Sequence, residues 1–298
     1  MAQSFTAAGD GALAQANAVP RRRVLVTGAA GKIGSYFAEH SHRKYDLRLM
    51  VRESDDRATV ERFGEAVVGD ITDLDRMKEL CAGIDTVLHL AANPSPDTAW
   101  DDALNVNIAG TYNTFVAAKA ANCRRFIYAS SIHAVSGYPA DVQVKTSEPV
   151  NPGDLYGVTK CFGEALGRYM AEKEGLSTIA LRIGAFQPIE AAESEGGLGM
   201  IDAFVSQRDL NQLIERCIDV ENLKFAILHG LSDNRFKRLD ISDAKELVGY
   251  APQDDAFELN VKLKHLKLSE VVQSHSVADA RQKSGLREDL LTPRPRGG

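Results

Sequence analysis

A doubly wound α/β fold, a parallel sheet covered on both faces with a smaller C-terminal lobe, is what this sequence predicts. Three observations predict it. Short apolar runs alternate with longer amphipathic segments. The runs are continuous rather than alternating, as strands buried on both faces require. The first run leads at once into a glycine-rich turn that opens a helix. At 298 residues the chain suits one large α/β domain or two coupled lobes. With 44% hydrophobic and 26% charged residues, a disordered, collagen-like or fibrous chain is excluded.

Other classes fall away on equally simple grounds. No apolar stretch approaches the roughly 18–20 residues that span a bilayer, so no membrane partner is expected. A net charge of −6 offers no basic footprint, which argues against nucleic acid. Cys81, Cys123, Cys161 and Cys217 lie far apart without metal-ligand or disulfide-framework spacing, so no metal is expected. Reduced thiols fit a cytoplasmic protein.

The elements follow in order. Residues 1–20 lack the basic start and apolar run of a signal peptide and read as a flexible extension. The expected strands are Val24–Val26, Leu47–Val51, Ala66–Val68, Thr86–Leu90, Phe126–Ala129, Thr178–Leu181 and Phe225–Leu228. Helices are expected near 32–41, 73–81, 103–121 and 155–173; in the third, Leu104, Ile108, Thr111, Phe115 and Ala118 form one apolar stripe. Such alternation makes residues 21–182 the sheet domain, with right-handed crossovers. Residues 183–268 read as a lobe resting on the sheet's carboxyl edge, where ligands of such folds bind. Within it, Gly196-Gly197-Leu198-Gly199 reads as a loop. A helix follows with Ser206 as N-cap, Asp209 three positions on, and Leu210, Leu213, Ile214 and Cys217 on one face. Residues 269–298 read as a polar tail, with one short helix expected around Val277–Gln282.

The turn after the first strand is Thr27-Gly28-Ala29-Ala30-Gly31-Lys32-Ile33-Gly34. Gly28 makes the tight turn, Gly31 lets a pyrophosphate approach the backbone, and Gly34 lets the helix pack on the sheet. The helix N-terminus adds free N–H groups and partial positive charge. This is a dinucleotide site of Rossmann type, although the spacing is GxxGxxG rather than GxGxxG. At the end of the second strand a carboxylate favours NAD and an arginine accommodates the 2′-phosphate of NADP. Val51-Arg52-Glu53 stands there, so either cofactor fits and Arg52 favours NADP.

Tyr156-Gly157-Val158-Thr159-Lys160 puts Tyr156 and Lys160 four apart, on one helix face, just after the helix-start signal Asn151-Pro152-Gly153-Asp154. A free tyrosine is a poor base at neutral pH. A neighbouring ammonium and a positive nicotinamide ring stabilise its phenolate. The partner hydroxyl expected at the end of the fifth strand is Ser131.

With the glycine turn, Gly69-Asp70, His89-Leu90-Ala91-Ala92 and Asn107-Ile108-Ala109-Gly110-Thr111, these residues resemble an extended short-chain dehydrogenase/reductase over about residues 23–260. More specific segments, Leu155–Glu164, Arg182-Ile183-Gly184, Ser206–Asp209, Gly230–Asn234 and Gly249-Tyr250-Ala251-Pro252, are similar to uronate dehydrogenases and haloarchaeal sugar and sugar-phosphate dehydrogenases. Those enzymes oxidise the anomeric carbon of a sugar to a lactone with a nicotinamide cofactor. The resemblance implies that Asp70 and Ile71 hold the adenine, that Leu90, Ala91 and Ala92 line the cofactor, and that Asn107 supports the active-site helix. It places Ile183 near the nicotinamide, and Ser131, Ile132, His133 and Ala185 on the substrate side. It also implies a homodimer or higher homo-oligomer through helices 103–121 and 155–173.

Three departures bear on the substrate. Ile132 stands where uronate dehydrogenases have Asn, Ala185 where they have Ser, and Gly199 about where their carboxylate-clamping Arg falls. Each lost polar contact would cost a sugar acid about 1–3 kcal/mol. The expectation is an NAD(P)-dependent dehydrogenase of a sugar CH–OH group, with Tyr156 as base, Ser131 orienting the hydroxyl and Lys160 tuning the tyrosine. A nucleotide-sugar epimerase uses the same residues, but only about 110 residues lie between Tyr156 and the polar tail. A cofactor-sensing protein has no need of all three groups.

Overall fold

The computed structural model describes residues 21–96 and 99–263; the expected extension, the C-terminal tail and its short helix lie outside these residues. Seven strands form one parallel sheet: β1 (Arg23–Thr27), β2 (Asp46–Val51), β3 (Glu65–Val68), β4 (Thr86–His89), β5 (Arg125–Ser131), β6 (Ser177–Ile183) and, late in the chain, β9 (Phe225–Gly230). Their order is β3-β2-β1-β4-β5-β6-β9. Order reverses between β1 and β4, so the crevice opens beyond their carboxyl ends, where such sheets take ligands. All seven expected strands are present, most of them extended by a residue or two.

Helices α1 (Lys32–Ser41), α2 (Leu74–Cys81), α4 (Thr111–Ala120) and α5 (Leu155–Glu172) stand where the spacing placed them. Their starts are chemically marked. The Asp73 side chain accepts from Arg76 N at the head of α2, and Asp154 from Gly157 N at the head of α5. Two apolar clusters flank the sheet. One joins Phe37 and Ala38 of α1 to Val24, Val26 and Leu49. The other joins Met77, Phe115 and Met170 to Leu25, Val87 and Phe126. Each buried Val, Leu, Phe or Met among them contributes roughly 1.5–3 kcal/mol.

The third helix departs from expectation. A turn at Trp100–Asp102 (α3) passes into a π-helical stretch, Ala103–Gly110, before α4 begins. A π turn takes an extra residue, so a strict three-and-four spacing loses phase across it. Ala103, Asn107 and Gly110 are buried in that stretch, while Leu104 of the expected stripe is exposed. From Thr111 onward the stripe holds, with Phe115 and Ala118 fully buried.

The sheet crosses the lobe boundary expected at residue 183. After β6 the chain forms β7 (Ala185–Gln187), α6 (Ile189–Glu193) and a short 3-10 helix, Glu195–Met200, where the glycines suggested a loop. Then β8 (Phe204–Ser206) pairs with β7 in a small parallel sheet of its own. Next α7 (Gln207–Asp219) returns to pack beside α1, and β9 closes the main sheet against β6. Ser206 caps α7 through Asp209 N at 3.2 Å, and Leu210, Leu213, Ile214 and Cys217 are buried, as the sequence implied. The last helices among the described residues are α8 (Ser242–Val248) and α9 (Ala256–Leu259). Among the described residues no helix is long and apolar enough to cross a membrane.

Candidate active site

A cavity of about 730 Å³ runs along the carboxyl edge of the sheet, from Arg52 and Asp70 at one end to Tyr156, Lys160 and Ile183 at the other. Its middle is backbone. Gly28 adopts φ +69°, and a Cβ there would lie 3.0 Å from Ala91 N. A Cβ on Gly34 would lie 2.6 Å from Gly28 O and 2.8 Å from Ala29 Cα. Only glycine permits this approach of helix to strand. The α1 N-terminus therefore opens directly onto the cavity, as a pyrophosphate requires. Volume, cradle and length together fit a dinucleotide.

The floor under the cradle is a hydrogen-bonded knot. Thr27 Oγ1 accepts from Leu90 N and Ala91 N, both at 3.2 Å, and lies 2.9 Å from His89 Nδ1. Its own proton therefore goes to Nδ1, and His89 Nε2 donates to Thr111 Oγ1 at 3.3 Å. Burial, reinforced by Lys160, pushes the His89 pKa down to about 3, so the ring is neutral. The knot ties β1, β4 and α4 together just below Leu90, Ala91 and Ala92.

All the residues expected to hold the cofactor line this one cavity except Asn107. Asn107 sits behind the wall: its Nδ2 donates to Asn93 O at 3.0 Å and to Thr159 Oγ1 at 3.3 Å, and its Oδ1 accepts from Asn93 N at 2.8 Å. It joins the loop after β4 to α5. Arg52 is mostly exposed and paired with Asp55, whose carboxylate also accepts from Arg52 N at 2.7 Å. Asp55 lines the cavity, as do Pro94, Val106 and Phe186, none of them expected from the sequence. The signal for Asp55 was its place three residues past Arg52 in a strand-end turn. Phe186 carried none, because β7 is set by tertiary pairing.

Ser131 ends β5 and Tyr156 and Lys160 lie in the first turns of α5, and all three line the cavity. Helix and strand come close because Gly157 and Gly163 face them: a Cβ on Gly157 would lie 2.3 Å from His133 O, and one on Gly163 2.2 Å from Tyr128 Cζ. Lys160 Nζ donates to Ala129 O at 2.8 Å and lies 5.3 Å from the centre of the Tyr156 ring. Burial pulls the Lys160 pKa down to about 7, partly countered by Glu164. Burial likewise pushes Tyr156 up to about 12, with a hydrogen bond to Ser131 working the other way. In the protein alone burial dominates the phenol, and Nζ gives its hydrogen bond to a carbonyl.

Beneath these groups lies a buried ion pair. Glu164 Oε1 and Oε2 accept from Arg182 Nε and Nη2, both at 2.8 Å, and Ser130 Oγ donates to Glu164 Oε1 at 2.6 Å. This fixes α5 to β5 and β6 one residue before Ser131, at a site where an unpaired charge would cost several kcal/mol.

Of the substrate-side residues, only Ser131 is on the cavity wall. Ile132 packs, partly buried, against an apolar cluster of Val135, Val144, Leu231, Leu239 and Ile241. Ala185 is held in β7, its N–H donating to Ala203 O at 2.7 Å. His133 stands next to Tyr156, ring centroids 5.4 Å apart, with Nδ1 2.6 Å from Asp154 Oδ2. Among the described residues no cluster of His, Cys, Asp or Glu could hold a metal.

Comparison with known proteins points the same way. Residues 24–189 match the model of the NAD dependent epimerase/dehydratase family. A Haloferax volcanii protein, NAD-dependent glucose-6-phosphate dehydrogenase, is 36% identical over 252 residues, 79% of this chain and 94% of its own. L-arabinose 1-dehydrogenase (NAD(P)(+)) from the same organism is 34% identical over 256 residues, 78% of this chain and 97% of its own. The crystal structure of uronate dehydrogenase from Agrobacterium tumefaciens superimposes with a TM-score of 0.71 at 30% identity, covering 87% of this chain and 93% of that one.

Proposed function

The chain belongs to the NAD-dependent epimerase/dehydratase family, and from that premise we propose that it oxidises the anomeric CH–OH group of a sugar to a lactone. The observation that carries this reading is Ser131, Tyr156 and Lys160 on the wall of one dinucleotide-sized cavity. Bound there, the oxidised nicotinamide supplies the acceptor for the hydride and a positive charge beside the phenol. The chain's own groups handle the proton. Ser131 orients the sugar hydroxyl towards Tyr156, which takes its proton as the carbonyl forms. The Lys160 charge favours the phenolate that burial opposes. The relatives that act on a sugar phosphate and on arabinose support a sugar as substrate.

The finer choices follow from local charge. Asp55 balances Arg52 and sets a carboxylate at the ribose end, so we read NAD as the preferred cofactor, with NADP admitted only against that carboxylate. A neutral aldose suits the substrate side better than a uronate. Arg208, the arginine nearest the segment where a clamp is expected, is bound in bidentate fashion by Asp254, with Nε to Oδ2 at 2.8 Å. Gly199 is exposed with open space around it. We read the helix face that leaves Tyr112, Val158 and Tyr169 exposed as the contact between two copies of the chain.

Carbon NMR of the product tests the reaction. Conversion of an aldose to its lactone, with equal formation of reduced cofactor, is the expected result. A change of ring configuration without net cofactor reduction would replace this reading with an epimerase.

A further inference from the structure

Asp154 does more than begin a helix. One carboxylate oxygen accepts from Gly157 N at 2.8 Å and caps α5. A cap needs no more than that, and a serine would supply it. The other oxygen lies 2.6 Å from His133 Nδ1, a charge-assisted contact between chain segments 21 positions apart. His133 in turn touches both reacting side chains: its backbone N–H donates to Ser131 Oγ at 3.2 Å, and its ring meets Tyr156 edge-on at 69°.

A carboxylate can only accept, so the proton sits on Nδ1 and Nε2 is left as the free ring nitrogen. Nε2 has no hydrogen bond to the described residues, and the side chain is 32% exposed. In the neutral ring Nε2 is therefore an acceptor on a side chain that touches Tyr156 just behind the cavity wall.

We propose that Asp154 is a positioning residue that acts through His133, fixing the imidazole so that Nε2 accepts a hydrogen bond from a sugar hydroxyl next to the reacting carbon. The proposal rests on the dehydrogenase reading above. Asp154 thus couples two placements: it sets Tyr156 through the helix cap and the substrate through the histidine.

Asp154→Ser and Asp154→Asn test it, assayed with NAD against L-arabinose, D-glucose and D-galactose. Serine keeps the cap but cannot reach His133. Asparagine can keep the cap with its oxygen, and its amide then donates to Nδ1 and moves the proton to Nε2. Each variant should lose about tenfold to a hundredfold in kcat/KM for the sugar, mostly through KM. The KM for NAD and the melting temperature should stay at wild-type values. Nitrogen NMR of histidine-labelled protein should show His133 protonated at Nδ1 in the wild type and at Nε2 in Asp154→Asn. A His133→Ala, Asp154→Ser double variant should be no worse than His133→Ala alone.

Wild-type kinetics in the Asp154→Ser variant, losses that multiply in the double variant, or an Nε2 proton in the wild type would each overturn the proposal. An active wild type with indifferent variants removes the positioning role alone. A wild type that turns over none of the sugars removes the dehydrogenase reading and this proposal with it.

Discussion

The cofactor end of the cavity and the end beyond Ser131 are made of different materials. From Gly28 to Gly34 the wall is backbone, held by a positive φ and by Cβ positions that neighbouring main chain would strike. Beyond Ser131 it is side chains brought in by distant pairings, such as Phe186, carried on β7 by its pairing with β8. A wall of backbone tolerates one residue type and so leaves a pattern in the sequence. A wall of side chains can be met by many combinations, and its pattern is scattered along the chain.

The largest expected effect separates chemistry from cofactor binding. Tyr156→Phe should lower kcat by about a hundredfold to ten-thousandfold, while NAD affinity, measured by titration calorimetry, stays within twofold, roughly the scatter of such substitutions away from a contact. Lost affinity in that variant would mean that the two ends of the cavity are not separable. Gly34→Ala attacks the backbone wall instead. Its Cβ would meet Gly28 O at 2.6 Å, so the KM for cofactor should rise more than about tenfold, with the sugar KM little changed.

The Arg52–Asp55 pair lies at the end of the cavity away from Ser131. Asp55→Asn frees the guanidinium, and the NADP/NAD ratio of kcat/KM should rise about tenfold. An unchanged ratio would show that the pair does not face the ribose.

The last effect is on stability and comes from two buried histidines. Burial pushes His89 down to about 3 and His229 down to about 4. Unfolded, both take up protons near pH ~6.5. Between these values the unfolded chain binds more protons, so stability is full above pH ~6.5 and falls as the pH drops towards the folded values. Each histidine adds up to ~1.4 kcal/mol per pH unit. Urea unfolding across that range should show the slope, and His229→Asn should roughly halve it.

The legibility of the sequence follows the same division. The strands, the caps at Asp154 and Ser206, and the glycine turn were legible because each depends on local chemistry. So was the Ser131, Tyr156 and Lys160 set, since a strand end and one helix face place all three. The buried phase of Ala103–Gly110 was not, because nothing in residues 103–110 announces a π turn. The packing of Ile132 was not legible either, because its cluster includes residues about a hundred positions downstream. The engagement of Arg52 by Asp55 was within reach three residues away, but an exposed arginine at a strand end reads equally well as free.

The most direct measurement is the initial rate of NAD reduction, followed by the near-ultraviolet absorbance of the reduced nicotinamide, with purified protein and separate neutral aldoses, uronates and sugar phosphates. Steady reduction with a neutral aldose, faster with NAD than with NADP and lost in Tyr156→Phe, is the predicted result. Absence of reduction with every sugar, or full activity in Tyr156→Phe, would contradict it.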